Sequence, residues 1–120
     1  ERDFTYIDDV VEIIERLLKK PASSNSNFNQ KKPNPSTSWG PYKIFNIGNN
    51  KSIKLIDFIK YLEEELNIKA IKQFVPMQKG DIKDTYADTQ AIEYWTGYRP
   101  NTNLKKGIKN FVRWYKEFYK

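Results

Sequence analysis

A chain of 120 residues is long enough for one domain with a modest core and too short for two, and with 38% hydrophobic and 30% charged residues it falls outside the disordered and membrane classes. The absence of cysteine and histidine excludes a disulfide framework, a thiolate nucleophile, sulfur metal sites and the usual general base, and fits a reducing cytoplasm. The net charge of +6 is spread from Arg2 to Lys120 among Asp and Glu, whereas a nucleic-acid-binding face concentrates its cations, and no apolar run reaches the roughly 20 residues of a membrane helix, so neither nucleic acid nor membrane is an expected partner.

The chain opens on Glu1 with no signal-peptide pattern behind it and reads as a piece of something longer. A first helix is expected after Asp8 or Asp9, either of which could cap it. It carries Val10, Val11, Ile13, Ile14, Leu17 and Leu18 at helical spacing, Lys19 and Lys20 in its last turn, and Pro21 as its stop. From Ala22 to Gly40 the composition shifts to Ser, Asn, Pro and Lys around Phe28 and Trp39, so residues 22–41 are expected to form a long mobile loop.

Tyr42 to Ile47 has the alternation of a short strand, closed by the turn residues Gly48-Asn49-Asn50. After Ser52, the spacing of Leu55, Phe58, Ile59, Leu62 and Leu66 predicts a second helix whose Glu63, Glu64 and Glu65 are solvated surface, not a metal site. Ala70 to Val75 suggests another strand ending at Pro76, followed by the polar stretch Met77-Gln78-Lys79-Gly80-Asp81 and a short extended piece at Tyr86 and Ala87. Asp88 or Thr89 can cap a brief helix through Ala91, Ile92 and Trp95 that stops at Gly97. The last helix is expected to bury a stripe of Leu104, Ile108, Phe111, Val112, Tyr115, Phe118 and Tyr119, with Lys105, Lys106, Lys109 and Lys116 elsewhere on its surface. There is no internal repeat. These elements give an α+β single domain over residues 1–120, whose short strands want a neighbour outside it.

Two clusters hold more polar specificity than a core needs: Arg2-Asp3-Phe4-Thr5-Tyr6-Ile7-Asp8-Asp9 and Gln78-Lys79-Gly80-Asp81. A guanidinium fork at Arg2 suits an anionic ligand, although Arg2 could equally pair with Asp3 or Asp9. Asp81 can accept hydrogen bonds from sugar hydroxyls, Gln78 or Lys79 can donate to phosphate, and Gly80 admits close backbone approach, although an ordinary turn would look the same. Asp8 and Asp9 superficially resemble half of a divalent-metal site, but adjacent acids at a helix start are more often caps.

The succession Arg2-Asp3-Phe4-Thr5-Tyr6-Ile7-Asp8-Asp9-Val10, Tyr42-Lys43-Ile44-Phe45-Asn46-Ile47-Gly48, Pro76-Met77-Gln78-Lys79-Gly80-Asp81 and Tyr86-Ala87-Asp88 resembles the carboxy-terminal, substrate-binding part of extended short-chain dehydrogenase/reductase sugar-nucleotide epimerases. Gly97-Tyr98-Arg99-Pro100 and Phe111-Val112-Arg113-Trp114-Tyr115 fit as well. Pro76-Met77-Gln78 before Gly80-Asp81 is most similar to UDP-glucuronate 4-epimerases; UDP-galactose 4-epimerases typically carry arginine where Gln78 stands, and Lys79 replaces a frequent proline.

The resemblance implies an α/β Rossmann-type parent, with Arg2 on the diphosphate of a UDP-sugar, Gln78 beside it and Asp81 on the uridine ribose. It further implies that NAD and the catalytic YxxxK pair belong to a preceding Rossmann domain absent from these residues, so that no catalytic, cofactor-binding or metal-binding residue is expected here. In the family mechanism NAD takes a hydride from C4 and returns it to the other face of the 4-keto sugar. A cytoplasmic homodimer and a role in capsule or lipopolysaccharide synthesis are implied with it. A sister dehydratase, decarboxylase or epimerase, or a stand-alone binding module, are the alternatives.

Overall fold

A computed structural model describes residues 1–119. Four helices carry the architecture: α1 (Ile7–Lys19), α2 (Leu55–Leu66), α3 (Gln90–Thr96) and α4 (Leu104–Phe118). The strands are two residues each, β1 (Arg2–Asp3) and β2 (Ser52–Ile53), paired antiparallel with Arg2 opposite Ile53 and Asp3 opposite Ser52. The α+β class expected from the pattern holds, with helices carrying nearly all of the regular structure.

Each helix boundary has a local cause. In α1, Asp8 and Asp9 lie in the first turn, where negative charge favours the helix dipole, while Tyr6 occupies the cap position without a side-chain cap bond. The aspartates thus act inside the first turn and not at the cap position expected for one of them. Asn67 (φ +55°) ends α2 and Gly97 (φ +66°) ends α3 in the left-handed conformation that such residues adopt at low cost. Asn103 caps α4 by accepting from the Lys106 amide at 2.9 Å.

The helices pack as two pairs, α1 with α3 and α2 with α4. Across the first pair, Arg16 donates to the Thr96 carbonyl at 3.1 Å, and Lys20 and Trp95 exchange side-chain-to-backbone bonds at 2.9 and 3.0 Å. Among the described residues the buried apolar side chains are Ile13, Ile92, Ile108 and Val112. Phe4 stacks on Phe58 of α2 at 4.7 Å between ring centroids, tying the segment after β1 to the second pair.

Two expectations are corrected. Tyr42–Ile47 and Ala70–Val75 form no strand: Lys43 makes a single bridge to Thr37, and Ile71 and Phe74 are almost fully exposed. Strand-like alternation needs a partner edge; the first segment finds only the single bridge to Thr37 and, among the described residues, the second finds none. The α4 aromatics are also not core. Ile108 and Val112 are buried, whereas Phe111, Trp114, Tyr115, Phe118 and Tyr119 are each at least 45% exposed and touch one another along the helix.

The expected loop between α1 and the Tyr42 segment carries no helix or strand; Asn25, Asn29 and Asn34 each turn the chain by accepting backbone amides two residues on. Among the described residues, no helix is long and apolar enough to cross a membrane.

Candidate functional site

The two polar clusters singled out in the sequence meet in space. From β1, the Arg2 guanidinium donates through Nη2 to Asp81 Oδ1 at 3.1 Å and through Nη1 to the carbonyl of Lys83 at 2.8 Å and of Glu1 at 2.9 Å. Asp81 closes a turn by donating its amide to the Gln78 carbonyl at 3.2 Å. Lys79 and Gly80 are the central residues, and Gly80 at φ +89° supplies the positive angle a type II turn needs at its third position. Arg2, Gln78 and Asp81 therefore lie on two facing pieces of backbone. Gln78 joins through its carbonyl, with its side chain exposed.

Arg2 pairs with Asp81 and not with Asp3 or Asp9, the partners its neighbourhood in sequence suggested. Three of its donated bonds go to protein acceptors, so part of the fork remains available to an incoming anion. Both partners of the ion pair are solvent-accessible, at 33% for Arg2 and 53% for Asp81, so a ligand can compete with it.

Asp3, which the sequence suggested only as a partner for Arg2, has a role that sequence reasoning missed. Its Oδ1 accepts the amide of Asn49 at 2.9 Å, and its Oδ2 accepts those of Asn50 at 3.1 Å and Ala87 at 3.2 Å. Its own amide donates to Thr85 Oγ1 at 3.0 Å, while Ser52 donates to the Thr85 carbonyl at 2.6 Å. Gly48 fits this junction because it lacks a side chain: a Cβ there would lie 2.4 Å from Ala87 Cβ and 2.7 Å from Asp3 Oδ2. The clue available in the sequence was the Gly48-Asn49-Asn50 turn, whose amides need an acceptor, but nothing in the pattern names Asp3.

Asp9 does not cap α1, whose cap position is Tyr6. It is buried, accepting the Tyr98 hydroxyl at 2.5 Å and the Thr102 amide at 3.1 Å. Burial pushes its pKa up, but the bonds from Tyr98 and Thr102 outweigh this and hold it below the usual carboxylate value; the Asp9 hydrogen bond raises the Tyr98 hydroxyl to about 12. Among the described residues no group of acidic side chains is arranged to hold a metal.

Beside the site, Phe4, Tyr6, Phe58, Leu104, Ile108 and Phe111 line an apolar cleft of about 290 Å³. The arrangement offers a guanidinium donor to an anion and a carboxylate acceptor to hydroxyl groups.

No protein-family model matches the chain. It is 43% identical to Protein CapI of Staphylococcus aureus over 119 residues, 99% of this chain and 36% of the relative, and 37% identical over 119 residues to UDP-glucuronate 4-epimerase 1 of Arabidopsis thaliana, 98% of this chain and 27% of the relative. A crystal structure of a UDP-glucuronic acid 4-epimerase mutant from Bacillus cereus, in complex with UDP-4-deoxy-4-fluoro-glucuronic acid and NAD, superposes with a TM-score of 0.71 at 26% identity, over 98% of this chain and 32% of that one. The chain spans about a third of the length of the curated relatives it matches.

Proposed function

This chain is homologous to the carboxy-terminal part of extended short-chain dehydrogenase/reductase sugar-nucleotide epimerases, and from that premise we propose that it forms the UDP-sugar-binding portion of an NAD-dependent enzyme that interconverts UDP-glucuronate and UDP-galacturonate at C4. The observation that carries the reading is the meeting of Arg2 with Asp81 across the Gln78–Asp81 turn. Arg2 binds the diphosphate, replacing part of its contact with Asp81; Gln78 lies beside the same group; Asp81, released to face the ligand, accepts from the uridine ribose.

The five glycines, at 40, 48, 80, 97 and 107, do not form the closely spaced phosphate-binding loop that NAD requires, so these residues do not fit the cofactor. NAD, which would supply reversible oxidation at C4, belongs on this reading to a separate Rossmann domain. The role left to this chain is to fix the nucleotide while the sugar turns over. The 1–120 stretch then acts as one substrate-binding domain, and the resemblance supports a cytoplasmic, homodimeric parent enzyme with UDP-sugar as its partner.

The test is direct. The full-length protein is incubated with NAD and UDP-glucuronate, and products are separated by anion exchange; accumulation of UDP-galacturonate is expected. Conversion of UDP-glucose with UDP-glucuronate untouched, or no conversion of either, would reject the assignment.

A further inference from the structure

We infer that Asp3 is a positioning residue for nucleotide binding: its carboxylate clamps the Asn49-Asn50 turn and the strand-like segment at Ala87 onto β1, and so holds the Gln78–Asp81 turn opposite Arg2. The inference rests on the reading of Arg2 and Asp81 given above and goes beyond it by assigning a role to a residue that touches no ligand.

The argument is one of connectivity. Arg2 and Asp3 are adjacent on β1, and their side chains serve two different loops. Asp81 leads within a few residues into Thr85 and Ala87, both of which bond to Asp3: Thr85 Oγ1 accepts the Asp3 amide and the Ala87 amide donates to Asp3 Oδ2. One end of the 78–87 segment is therefore fixed to the same two-residue strand whose other member grips Asp81.

Without the Asp3 carboxylate, β1 keeps its two-residue ladder to β2, too short to hold a register by itself, and the bonds of Glu1 and Arg2 to residues 81–85, none of which reaches Ala87 or the Asn49-Asn50 turn. Three backbone amides on one carboxylate, from two separate loops, are charge-assisted bonds stronger than neutral ones. Gly48 is an independent sign that close approach is required here, since any side chain would collide with both Ala87 and Asp3. Asparagine at position 3 would turn an amide group toward at least one of the donating amides.

UDP binding to the full-length protein, measured by calorimetry, tests this through a cycle of Asp3→Asn, Arg2→Ala and the double variant. Asp3→Asn is expected to weaken UDP by about tenfold, the scale of one charge-assisted bond lost from alignment. In the Arg2→Ala background it is expected to add nothing further. A residue that merely supports folding would lower Tm and the active fraction, leave the Kd of the folded protein unchanged, and overturn the role. Additive losses in the double variant would overturn it as well.

If Asp3→Asn yields no folded protein, Thr85→Val takes its place in the cycle, removing the Oγ1 that receives the Asp3 amide; a weaker loss that again vanishes with Arg2→Ala is expected, and an unchanged or additive loss counts against the role. Arg2→Ala with unaltered UDP affinity would sink the reading of the site and the positioning role with it. Loss of affinity in Arg2→Ala but not in Asp3→Asn would sink the positioning role alone.

Discussion

The Arg2 guanidinium and the Asp81 carboxylate lie 79 residues apart in sequence and 3.1 Å apart in the fold. An exposed pair of this kind contributes about 0–1 kcal/mol to stability, because solvent screens it and two flexible side chains must be held. A hydrogen bond from the same guanidinium to a diphosphate is worth about 1.5–3 kcal/mol. Arg2→Ala in the full-length protein is therefore expected to move the unfolding free energy by less than about 1 kcal/mol while raising KM for the UDP-sugar by roughly tenfold or more. Denaturant melts and steady-state kinetics on one preparation check both parts, and unchanged kinetics would remove Arg2 from the site.

The pair formed by buried Asp9 and half-buried Tyr98 makes the opposite prediction, stability without affinity. Asp9→Ala strands the Tyr98 hydroxyl and the Thr102 amide and is expected to cost about 2–3 kcal/mol, with Tyr98→Phe costing about 1–2. The pH dependence follows from the two shifts. Asp9 is held below the usual carboxylate value, so its contribution is present above that value and is lost as pH falls through the lower native one. Tyr98 is raised from 10.0 to about 12, so its contribution is intact below pH 10.0 and is lost as pH rises toward 12. Urea melts of wild type and Tyr98→Phe should converge at both extremes; a stability difference that stays constant across the range would refute the coupling.

All four helices were readable from apolar spacing and termini because their determinants are local: Asn103 ahead of Leu104 and Gly97 after Thr96 act within one turn of the residues they cap. The strands were not, since a pair two residues long has no periodicity to detect, and among the described residues the segments that do alternate, Tyr42–Ile47 and Ala70–Val75, find no more than the one bridge from Lys43 to Thr37. Arg2 and Asp81 stood out by residue type, but nothing local says that they meet. Family resemblance placed both in one site, whereas the residues around Arg2 pointed to Asp3 and Asp9. The roles of Asp3 and Asp9 depend on which amides the fold brings to them, information that exists only after the chain has closed.

Gly48→Ala should destabilise the protein by about 1–3 kcal/mol, the scale of overpacking in a close-packed interior. The added methyl would sit 2.4 Å from Ala87 Cβ, whose neighbour on the other side is the Asp3 carboxylate, so neither can move without loosening the junction. Gly40→Ala is the control, because its Cβ would meet nothing within 4 Å. Thermal melts of the two variants should separate by several degrees; equal Tm values would mean that the Gly48 junction relaxes freely.

Glu63 governs the exposed segment after α2. Its Oε1 accepts from Lys72 Nζ and from the Ala70 amide at 2.8 Å, and Lys72 is the leading cause of its lowered pKa. A depressed carboxylate contributes above its unfolded value and loses that contribution as pH falls through the lower native one, so the tether should release only in acid. In Glu63→Gln the amide at Ala70 should exchange with solvent faster at neutral pH, read by hydrogen–deuterium exchange, with the helical amides of α1 unchanged. Equal exchange at Ala70 in both proteins would show that the ion pair does not hold the segment.

The 120 residues taken alone expose 9784 Å², against about 6,800 Å² for a compact monomer of 14.3 kDa, and their radius of gyration is 18.6 Å against about 14 Å. With a buried apolar set of Ile13, Ile92, Ile108 and Val112 among the described residues, and with Ile71, Phe74 and the α4 aromatics open to water, hydrophobic burial can do little more than balance chain entropy. Expressed by itself, the 120-residue chain is expected to melt broadly below about 45 °C, the lower end of the usual mesophilic range. It should also bind the dye ANS and show no measurable calorimetric heat with UDP-glucuronate, because an affinity of that kind needs a preorganised pocket. A sharp transition above about 65 °C without dye binding would mean that these surfaces are satisfied within the chain, and tight UDP-glucuronate binding would mean that the grip around Arg2 is complete without any further domain.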